Sequence, residues 1–298
     1  MESNKKNHIN LVEIIYLMWG NKFLILVLTS LFSLFSIIYA LSLPNYFKSE
    51  TIVSVRDSES NAPQIGQYAG LAQMAGINIG ASGGTDKTQF LMATLRSRDF
   101  FEILVNNNNM IIPSIMASKE YKASSGELII DSNIYDVKTN KWIIKKPTNL
   151  EAHKVFLSSI MRVSKNDVTG YISISTEHLS PIFAHQLINN IVDQVNIISK
   201  EKDLRESKKA IEFLQSHSMK TQLRGVTTSI NNLIEAQIEK QMTSQISENY
   251  LIDYIDKPFI PEEKSKPSRS TIVILGFLFG ISISVLIILV RRFVFNKS

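Results

Sequence analysis

The sequence predicts an α+β fold that is anchored in a membrane by two helices. Two apolar runs without a charged residue, Phe23–Leu43 and Thr271–Val290, lie near the ends of the 298-residue chain. Between them, short segments with alternating polar and apolar side chains are typical of strands, whereas about seventy residues from Pro181 onward have the spacing of helix. We therefore expect a mixed domain, with strands and a long helical region, held between two membrane spans.

Both apolar runs are long enough to cross a bilayer once. A helix rises about 1.5 Å per residue, so about 20 residues cross a hydrocarbon core of about 30 Å. Spans at 23–43 and 271–290 leave residues 44–270 together on one side of the membrane. A signal peptide cleaved after Ala40-Leu41-Ser42 is the alternative. The first run, however, exceeds the apolar core of about 7–15 residues that signal peptides have.

Basic residues predict the orientation of the two spans. They are Lys5, Lys6 and Lys22 before the first run, and Arg291, Arg292 and Lys297 after the second. By the positive-inside rule, the terminal segments 1–22 and 291–298 are expected in the cytoplasm. Basic residues between 264 and 269 weaken this bias, but long loops cross a membrane largely regardless of their charge. The central segment is therefore expected outside the cytoplasm.

The composition of the central segment excludes several classes of protein. It carries nearly equal numbers of basic and acidic residues, so the alkaline pI of the chain comes partly from the membrane flanks. A nucleic-acid-binding protein would need a basic face, and we expect no nucleic-acid partner. The chain has no cysteine, which excludes disulfides and thiolate metal sites.

Two segments have ambiguous patterns. Residues 8–22 have apolar side chains at helical spacing, which predicts either an amphipathic helix at the membrane interface or an extension of the first span. Residues 57–86 contain six of the twelve glycines, which is typical of a flexible or tightly packed loop.

The first half of the central segment, residues 44–180, reads as a base domain of short elements. The predicted elements are a strand at Tyr46–Arg56, a helix of four to five turns from Lys87 to Asn106–Asn109, short strands within Leu128–Lys146, a helix at Leu150–Ile160 and a strand at Val168–Thr176. Trp142-Ile143-Ile144 is the clearest core segment among the short strands.

The second half is dominated by the long helical region, residues 181–250. Ser180 and Pro181 provide an N-cap and a first helical proline, and Gly225 is the predicted break or bend. Such length indicates a protruding helix or a long hairpin that packs on itself or on a neighbouring subunit, with three shorter helices as the alternative. The base resumes at 250–257, and prolines at 258, 261 and 267 predict an extended connector, residues 258–269.

No pattern in the sequence predicts catalysis or a cofactor. Gly80–Thr88 (GASGGTDKT) lacks the Gly-Lys-Ser/Thr adjacency of a phosphate-binding loop. His153, His178 and His185 have no metal-ligand spacing, so we expect structural histidines and no metal. No pair of acids stands out for glycoside chemistry. We therefore expect no catalytic residues and no cofactor.

Six residues are predicted to couple the central segment to the membrane and to pack the spans. Gly276 and Gly280 form a G-x-x-x-G pair, which allows two helix backbones to approach closely. Their partner is either the first span or the same helix of another copy. Prolines at the domain–membrane junctions complete the set: Pro44, Pro258, Pro261 and Pro267.

The order of these parts resembles the Wzz-type polysaccharide chain-length determinants, also called polysaccharide co-polymerases. The resemblance covers nearly the whole chain. It is carried by the first span, Pro44 with Tyr46, Gly70–Gly80 (GLAQMAGINIG), Thr94–Phe100 (TLRSRDF), Gly170–Pro181 (GYISISTEHLSP) with Ala184, and the proline connector before a glycine-bearing span.

The resemblance implies a periplasmic α/β base domain near the inner membrane with a long protruding helical arm. It also implies a homo-oligomer that works with a polysaccharide polymerase on a growing lipid-linked polysaccharide and performs no bond chemistry itself. Only eight residues follow Val290, without a Walker motif, so the chain resembles the members that lack a tyrosine kinase, as in O-antigen length control. A capsule or exopolysaccharide stays open.

Two other functions compete with length control. An inner-membrane component of a polysaccharide export complex would also use a long helical region. A membrane-tethered enzyme acting on glycans would need an acid/base pair, which the sequence does not supply.

Overall fold

A computed structural model describes residues 18–56, 85–218, 224–247 and 249–295 of the chain. The predictions for the segment before residue 18 and for the glycine-rich residues 57–84 lie outside the described residues. In chain order, the elements are α1 (Lys22–Ser42), β1 (Phe47–Val55), α2 (Thr85–Arg96), α3 (Arg98–Asn107), α4 (Ile111–Met116), β2 (Ser118–Lys122), β3 (Glu127–Ile130), β4 (Tyr135–Asp136), β5 (Lys141–Trp142), α5 (Asn149–Val155), a π-helical turn (Phe156–Ile160), β6 (Met161–Lys165), β7 (Ile172–His178), α6 (Pro181–Ser218), α7 (Arg224–Ile246), β8 (Ile252–Asp256) and α8 (Arg269–Phe295).

The chain divides into two compact units. The first, Met1–Tyr46 with Lys264–Ser298, contains α1 and α8, and the second is Phe47–Glu263. Both α1 and α8 are long and apolar enough to cross a membrane, with mean hydropathies of 2.4 and 3.0 over the best stretch of each. They pack against each other in opposite directions, because Thr29 lies beside Gly280 whereas Ser36 lies beside Gly276. The two predicted spans are thus a helix pair.

A four-stranded antiparallel sheet forms the centre of the second unit. Its strand order is β6-β7-β1-β8, so β1 is central although it comes first in the chain. Phe47 pairs with His178 and Val53 with Ile172 along β1 and β7, and a bulge between Ile52 and Val53 interrupts the pairing of β1 with β8. Two small two-stranded sheets, β2-β3 and β4-β5, complete the strands within the described residues.

The core lies on one face of this sheet, beneath the root of α6. Alternate strand residues point to it, since Val53, Ile172 and Ile174 are fully buried whereas Lys48 on β1 is exposed. The other fully buried core side chains are Leu91, Leu95, Phe100, Phe101, Leu104, Ile111, Phe156, Leu187, Ile188 and Ile191. Burying each such side chain stabilises the fold by about 1.5–3 kcal/mol, so this core holds the helices on the sheet.

The long helical region is a hairpin of two helices. α6 has 38 residues and is therefore about 57 Å long. α7 packs along its outer half through Ala210, Leu214, Ile230 and Leu233. The alternative of three shorter helices is wrong for the described residues, because α6 is continuous from Pro181 to Ser218. Gly225 is not the break but lies within α7.

The N-terminus of α6 has the predicted cap. Ser180 Oγ accepts a hydrogen bond from the Phe183 N–H at 3.2 Å, and Pro181 is the first residue of the helix.

The helix predicted from Lys87 is in fact two helices. α2 ends at Arg96, and Ser97 takes an extended backbone conformation as the N-cap of α3. Its Oγ accepts a hydrogen bond from the Phe100 N–H at 3.1 Å. The apolar spacing continues across Ser97, so the periodicity alone did not reveal the break.

The prediction that Trp142-Ile143-Ile144 is a core segment is wrong for Ile143 and Ile144. Trp142 packs against the core and against the Tyr135 ring at 5.0 Å, but Ile143 and Ile144 are 60% and 53% exposed. Short strands do form within Leu128–Lys146, as predicted.

The boundaries of two other elements are shifted. β7 starts at Ile172 and not at Val168, because Asn166 Oδ1 accepts hydrogen bonds from the Val168 and Thr169 N–H groups and folds that segment into a turn. The predicted helix at Leu150–Ile160 is α5, which begins at Asn149, followed by the π-helical turn.

Candidate functional site

The two glycines of the second span lie against the first span of the same chain. A Cβ built on Gly276 would be 2.4 Å from the Ser36 Cβ, and one built on Gly280 would be 3.0 Å from the Phe32 Cβ. Ser36 Oγ also donates a hydrogen bond to the Ile272 carbonyl at 2.8 Å. Only glycine permits this backbone approach, so the partner that the sequence left open is, in this chain, the first span.

The segments that join the spans to the rest of the chain are bound to each other. The Tyr46 N–H donates to the Lys266 carbonyl at 2.9 Å, and the Ser265 N–H donates to the Tyr46 carbonyl at 2.7 Å. Arg269 adds two contacts, from Nε to the Ala40 carbonyl and from Nη2 to Asn45 Oδ1, each 3.1 Å long. The entering and leaving segments thus form one clasp at this end of the helix pair.

The predicted prolines fall into two groups. Pro44 is exposed and Pro267 is half-buried, after a cis peptide bond, and both belong to the segments that the clasp joins. Pro258 and Pro261 lie in the second unit, where the neighbouring Phe259 carbonyl accepts a hydrogen bond from Ser49 Oγ of β1 at 2.8 Å. The structure therefore places Pro44 and Pro267 in the two segments of the clasp, Gly276 and Gly280 against the first span, and Pro258 and Pro261 in the second unit.

Asn196 connects α6 to the sheet. This residue is 5% exposed, and its Oδ1 accepts hydrogen bonds from the Leu251 and Ile252 N–H groups at 2.9 and 3.0 Å. Its Nδ2 donates to the Ile252 carbonyl at 3.2 Å. A single side chain thereby satisfies backbone groups at the start of β8, where the chain returns from the hairpin to the sheet. Sequence reasoning missed this residue.

His178 is held between three elements of the base. Its Nδ1 accepts a hydrogen bond from the Ser180 N–H at 3.1 Å, so Nε2 carries the proton and donates to the Ser114 carbonyl at 2.8 Å. Burial lowers the pKa of His178 to about 4, because the charged ring would lose its hydration. The Phe183 ring lies 4.4 Å away. His178 is a structural residue, as predicted.

The other two predicted histidines also have structural partners. His153 Nε2 lies 3.1 Å from the Arg96 carbonyl, and His185 Nε2 lies 3.1 Å from Asn189 Nδ2. Within the described residues, no group of three His, Asp or Glu side chains is arranged to hold a metal ion.

A polar groove lies at the β6 edge of the sheet, where side chains of the face opposite the core meet core-packed residues such as Met161 and Val163. We call it the sheet groove; its volume is about 520 Å³. Its lining residues are Lys48, Glu50, Arg96, Leu157, Met161, Arg162, Val163, Ser164, Ser173 and Ser175. The register places Ser175 between Arg162 of β6 and Glu50 of β1, because it pairs with both. No local sequence signal marks this groove, since its residues come from four distant segments.

Glu50 is the acidic residue of the sheet groove, and it is already paired. Lys48 Nζ lies 2.6 Å from Glu50 Oε2, and Ser173 Oγ donates to Glu50 Oε1 at 2.5 Å. These contacts, first the hydrogen bond from Lys48, hold the pKa of Glu50 below its ordinary value. The groove can therefore offer hydroxyl groups and guanidinium groups to an occupant.

The N-terminal third of the chain matches the sequence model of a known family. The family model described as Wzz, chain length determinant protein, matches residues 7–108, which include α1, β1, α2 and α3. Residues 7–108 are therefore similar to the Wzz chain length determinants. The resemblance predicted from the sequence is confirmed at this level. No curated protein matches the chain.

Two solved structures are among those similar to this chain. A full-length bacterial polysaccharide co-polymerase is 12% identical, with a TM-score of 0.46, and the match covers 97% of this chain and 99% of that one. A fragment of WzzB, a polysaccharide co-polymerase from Salmonella Typhimurium, is 14% identical, with a TM-score of 0.31, over 74% of this chain and 99% of that one.

Proposed function

We propose that this chain is a non-enzymatic polysaccharide co-polymerase of the inner membrane. It oligomerises and regulates the chain length of a surface polysaccharide, either the O-antigen of lipopolysaccharide or a capsule or exopolysaccharide, that a partner polymerase makes. The Wzz match over residues 7–108 is the observation that carries the proposal. The growing lipid-linked polysaccharide and the polymerase are the partners, and both termini lie in the cytoplasm with the central segment in the periplasm.

The described structure supports this proposal with its two apolar helices. α1 and α8 leave residues 43–268 as one long excursion between two candidate spans. The six residues Pro44, Pro258, Pro261, Pro267, Gly276 and Gly280 are proposed to couple that excursion to the membrane. Close packing at Gly276 and Gly280, and the hydrogen-bonded clasp near Pro44 and Pro267, give this coupling a physical basis.

An apolar stripe on the hairpin supports oligomerisation. Ile238, Met242 and Ile246 follow one another at intervals of four residues on α7 and are 45%, 59% and 80% exposed. Side chains four residues apart lie on one face of a helix, so these three form a continuous apolar strip, which we call the α7 stripe. Exposed apolar strips mark interaction surfaces. We propose that the α7 stripe contacts a second copy of the chain.

The test is a gel profile of the surface polysaccharide from a strain that lacks the gene, compared with the parent and the complemented strain. Length control predicts that deletion replaces a clustered length distribution with a graded or shortened one, and that the intact gene restores the clusters. If clustering persists while polymer accumulates inside the envelope, the chain is instead a component of an export complex, which the long hairpin also fits.

A further inference from the structure

The charge balance of the sheet groove favours an anionic occupant. Three of its lining side chains are basic, Lys48, Arg96 and Arg162, and Lys48 is already paired with Glu50. Arg162 takes part in none of the ion pairs among the described residues, and Arg96 Nη2 reaches the Val163 carbonyl only at 3.4 Å. Two guanidinium groups therefore remain for a negatively charged group, which arginine binds through two parallel hydrogen bonds.

The hydroxyl groups of the sheet groove favour an acidic sugar over anions that lack hydroxyl groups. Ser164 and Ser173 are paired across β6 and β7, and Ser175 is the next outward residue on β7. A hydroxyl both donates and accepts hydrogen bonds, which matches the hydroxyl groups of a sugar ring. None of the lining residues is aromatic, so the groove offers no ring on which a neutral sugar would stack. A volume of about 520 Å³ lies within the range of small-ligand sites.

We infer that the sheet groove binds an acidic sugar unit, in which a carboxylate pairs with Arg162 and Arg96 while the sugar hydroxyls contact Ser164 and donate to Ser173 Oγ, whose own proton is held by Glu50. This inference rests on the proposed function, because it identifies the polymer as one with acidic repeat units. An acidic sugar presents a carboxylate and several hydroxyl groups on one compact ring, whereas an acidic peptide would meet the hydroxyl row only through its backbone groups.

The test measures binding of a carboxylated and a neutral oligosaccharide of equal length to the full chain in nanodiscs, by isothermal titration calorimetry. Oligogalacturonate and oligomaltose are suitable probes. The variant is Arg162→Gln, and the matched control is Lys165→Gln, which removes the same charge from an exposed position on β6 outside the groove. We expect oligogalacturonate to bind, oligomaltose not to bind, and Arg162→Gln to weaken binding at least about tenfold while Lys165→Gln does not.

Three results would overturn the inference. They are equal binding of the two probes, equal loss in the two variants, and a tenfold tighter binding of an acidic peptide than of the acidic sugar. Loss of the oligomer in Arg162→Gln, with oligogalacturonate affinity unchanged, would also overturn it and would make the groove a contact between copies. The proposed function fails separately, because a gene deletion that leaves polymer length unchanged refutes length control whatever the sugar affinity is.

Discussion

Gly276 faces Ser36 so closely that a methyl group on Gly276 would overlap the Ser36 side chain, 2.4 Å from its Cβ and 2.5 Å from its Oγ. The Ser36 hydroxyl is meanwhile bonded to the Ile272 carbonyl, one turn earlier on α8. The two spans of one chain thus approach closely because Gly276 has no side chain, and the hydrogen bond from Ser36 joins them. In lipid, where the hydrophobic effect does not drive helix association, such contacts provide the packing.

Replacing Gly280 or Gly276 with leucine is expected to separate the spans. Overpacking a close contact costs about 1–3 kcal/mol; a Cβ on Gly276 would overlap Ser36, and a Cβ on Gly280 would lie only 3.0 Å from the Phe32 Cβ. Because the chain has no cysteine, one cysteine introduced into each span, at positions other than Ser36, gives a disulfide readout of span packing without interference from native thiols. We expect crosslinking to fall and the polysaccharide length distribution to shift. Ser282→Leu, at an exposed position of α8, is the control; a similar fall there would contradict the prediction.

Removing the Asn196 side chain is expected to loosen β8. Asn196→Ala leaves the buried Leu251 and Ile252 N–H groups without an acceptor, which costs about 2–4 kcal/mol of unfolding free energy. Asn196→Asp keeps the acceptor and is expected to lose less. Thermal melting in detergent and hydrogen exchange at residues 251 and 252 measure the effect. Asn190→Ala on the same helix is the matched control, and equal destabilisation by both alanine variants would refute the role of Asn196.

His178 makes the fold sensitive to acid. Its pKa is about 4 in the folded chain, below the ordinary 6.5, so the unfolded chain binds more protons between these values. The contribution of neutral His178 to the free energy of unfolding is therefore complete above pH 6.5. As the pH falls toward 4, up to about 3 kcal/mol of it is lost.

The variant His178→Gln isolates this contribution. It is expected to be less stable at pH 7, because Ser180 loses its acceptor, yet to lose less stability than the parent between pH 7 and pH 4. Denaturant unfolding at several pH values gives the slope of the unfolding free energy against pH for the parent and for the variant. Parallel slopes for parent and variant would mean that other groups cause the acid sensitivity.

Charging the α7 stripe is expected to break the oligomer. Met242 is 59% exposed at the centre of the stripe, so Met242→Glu places a charge in the proposed contact without disturbing the core of the hairpin. Light scattering in detergent should then report a smaller assembly. Thr243→Glu adds the same charge to the adjacent exposed position, which points to another face. An oligomer that survives Met242→Glu would rule out the stripe as the contact.

Several elements were predictable because their signals are local. The two spans follow from uninterrupted apolar runs, the N-terminus of α6 from Ser180-Pro181, and β1 from its β-branched residues. The predicted element boundaries were wrong where a hydrogen bond from the backbone to a nearby side chain ended an element without interrupting the apolar periodicity. Ser97 divides one apolar periodicity into α2 and α3, and Asn166 turns the start of the predicted strand into a loop. Ile143 and Ile144 are apolar, but none of the described elements buries their side chains.

The sequence by itself determined the two spans, the helical character of residues 181–218 and 224–246 and the family pattern of residues 7–108, because each depends on residues that are close together in the chain. The tertiary structure alone decided which residues meet. It placed the strand that comes first in the chain at the centre of the sheet, Gly276 against Ser36, and Asn196 beside β8. The sheet groove likewise unites residues 48, 96, 162 and 173. Such contacts depend on strand pairing and helix packing between distant segments, which one-dimensional spacing does not encode.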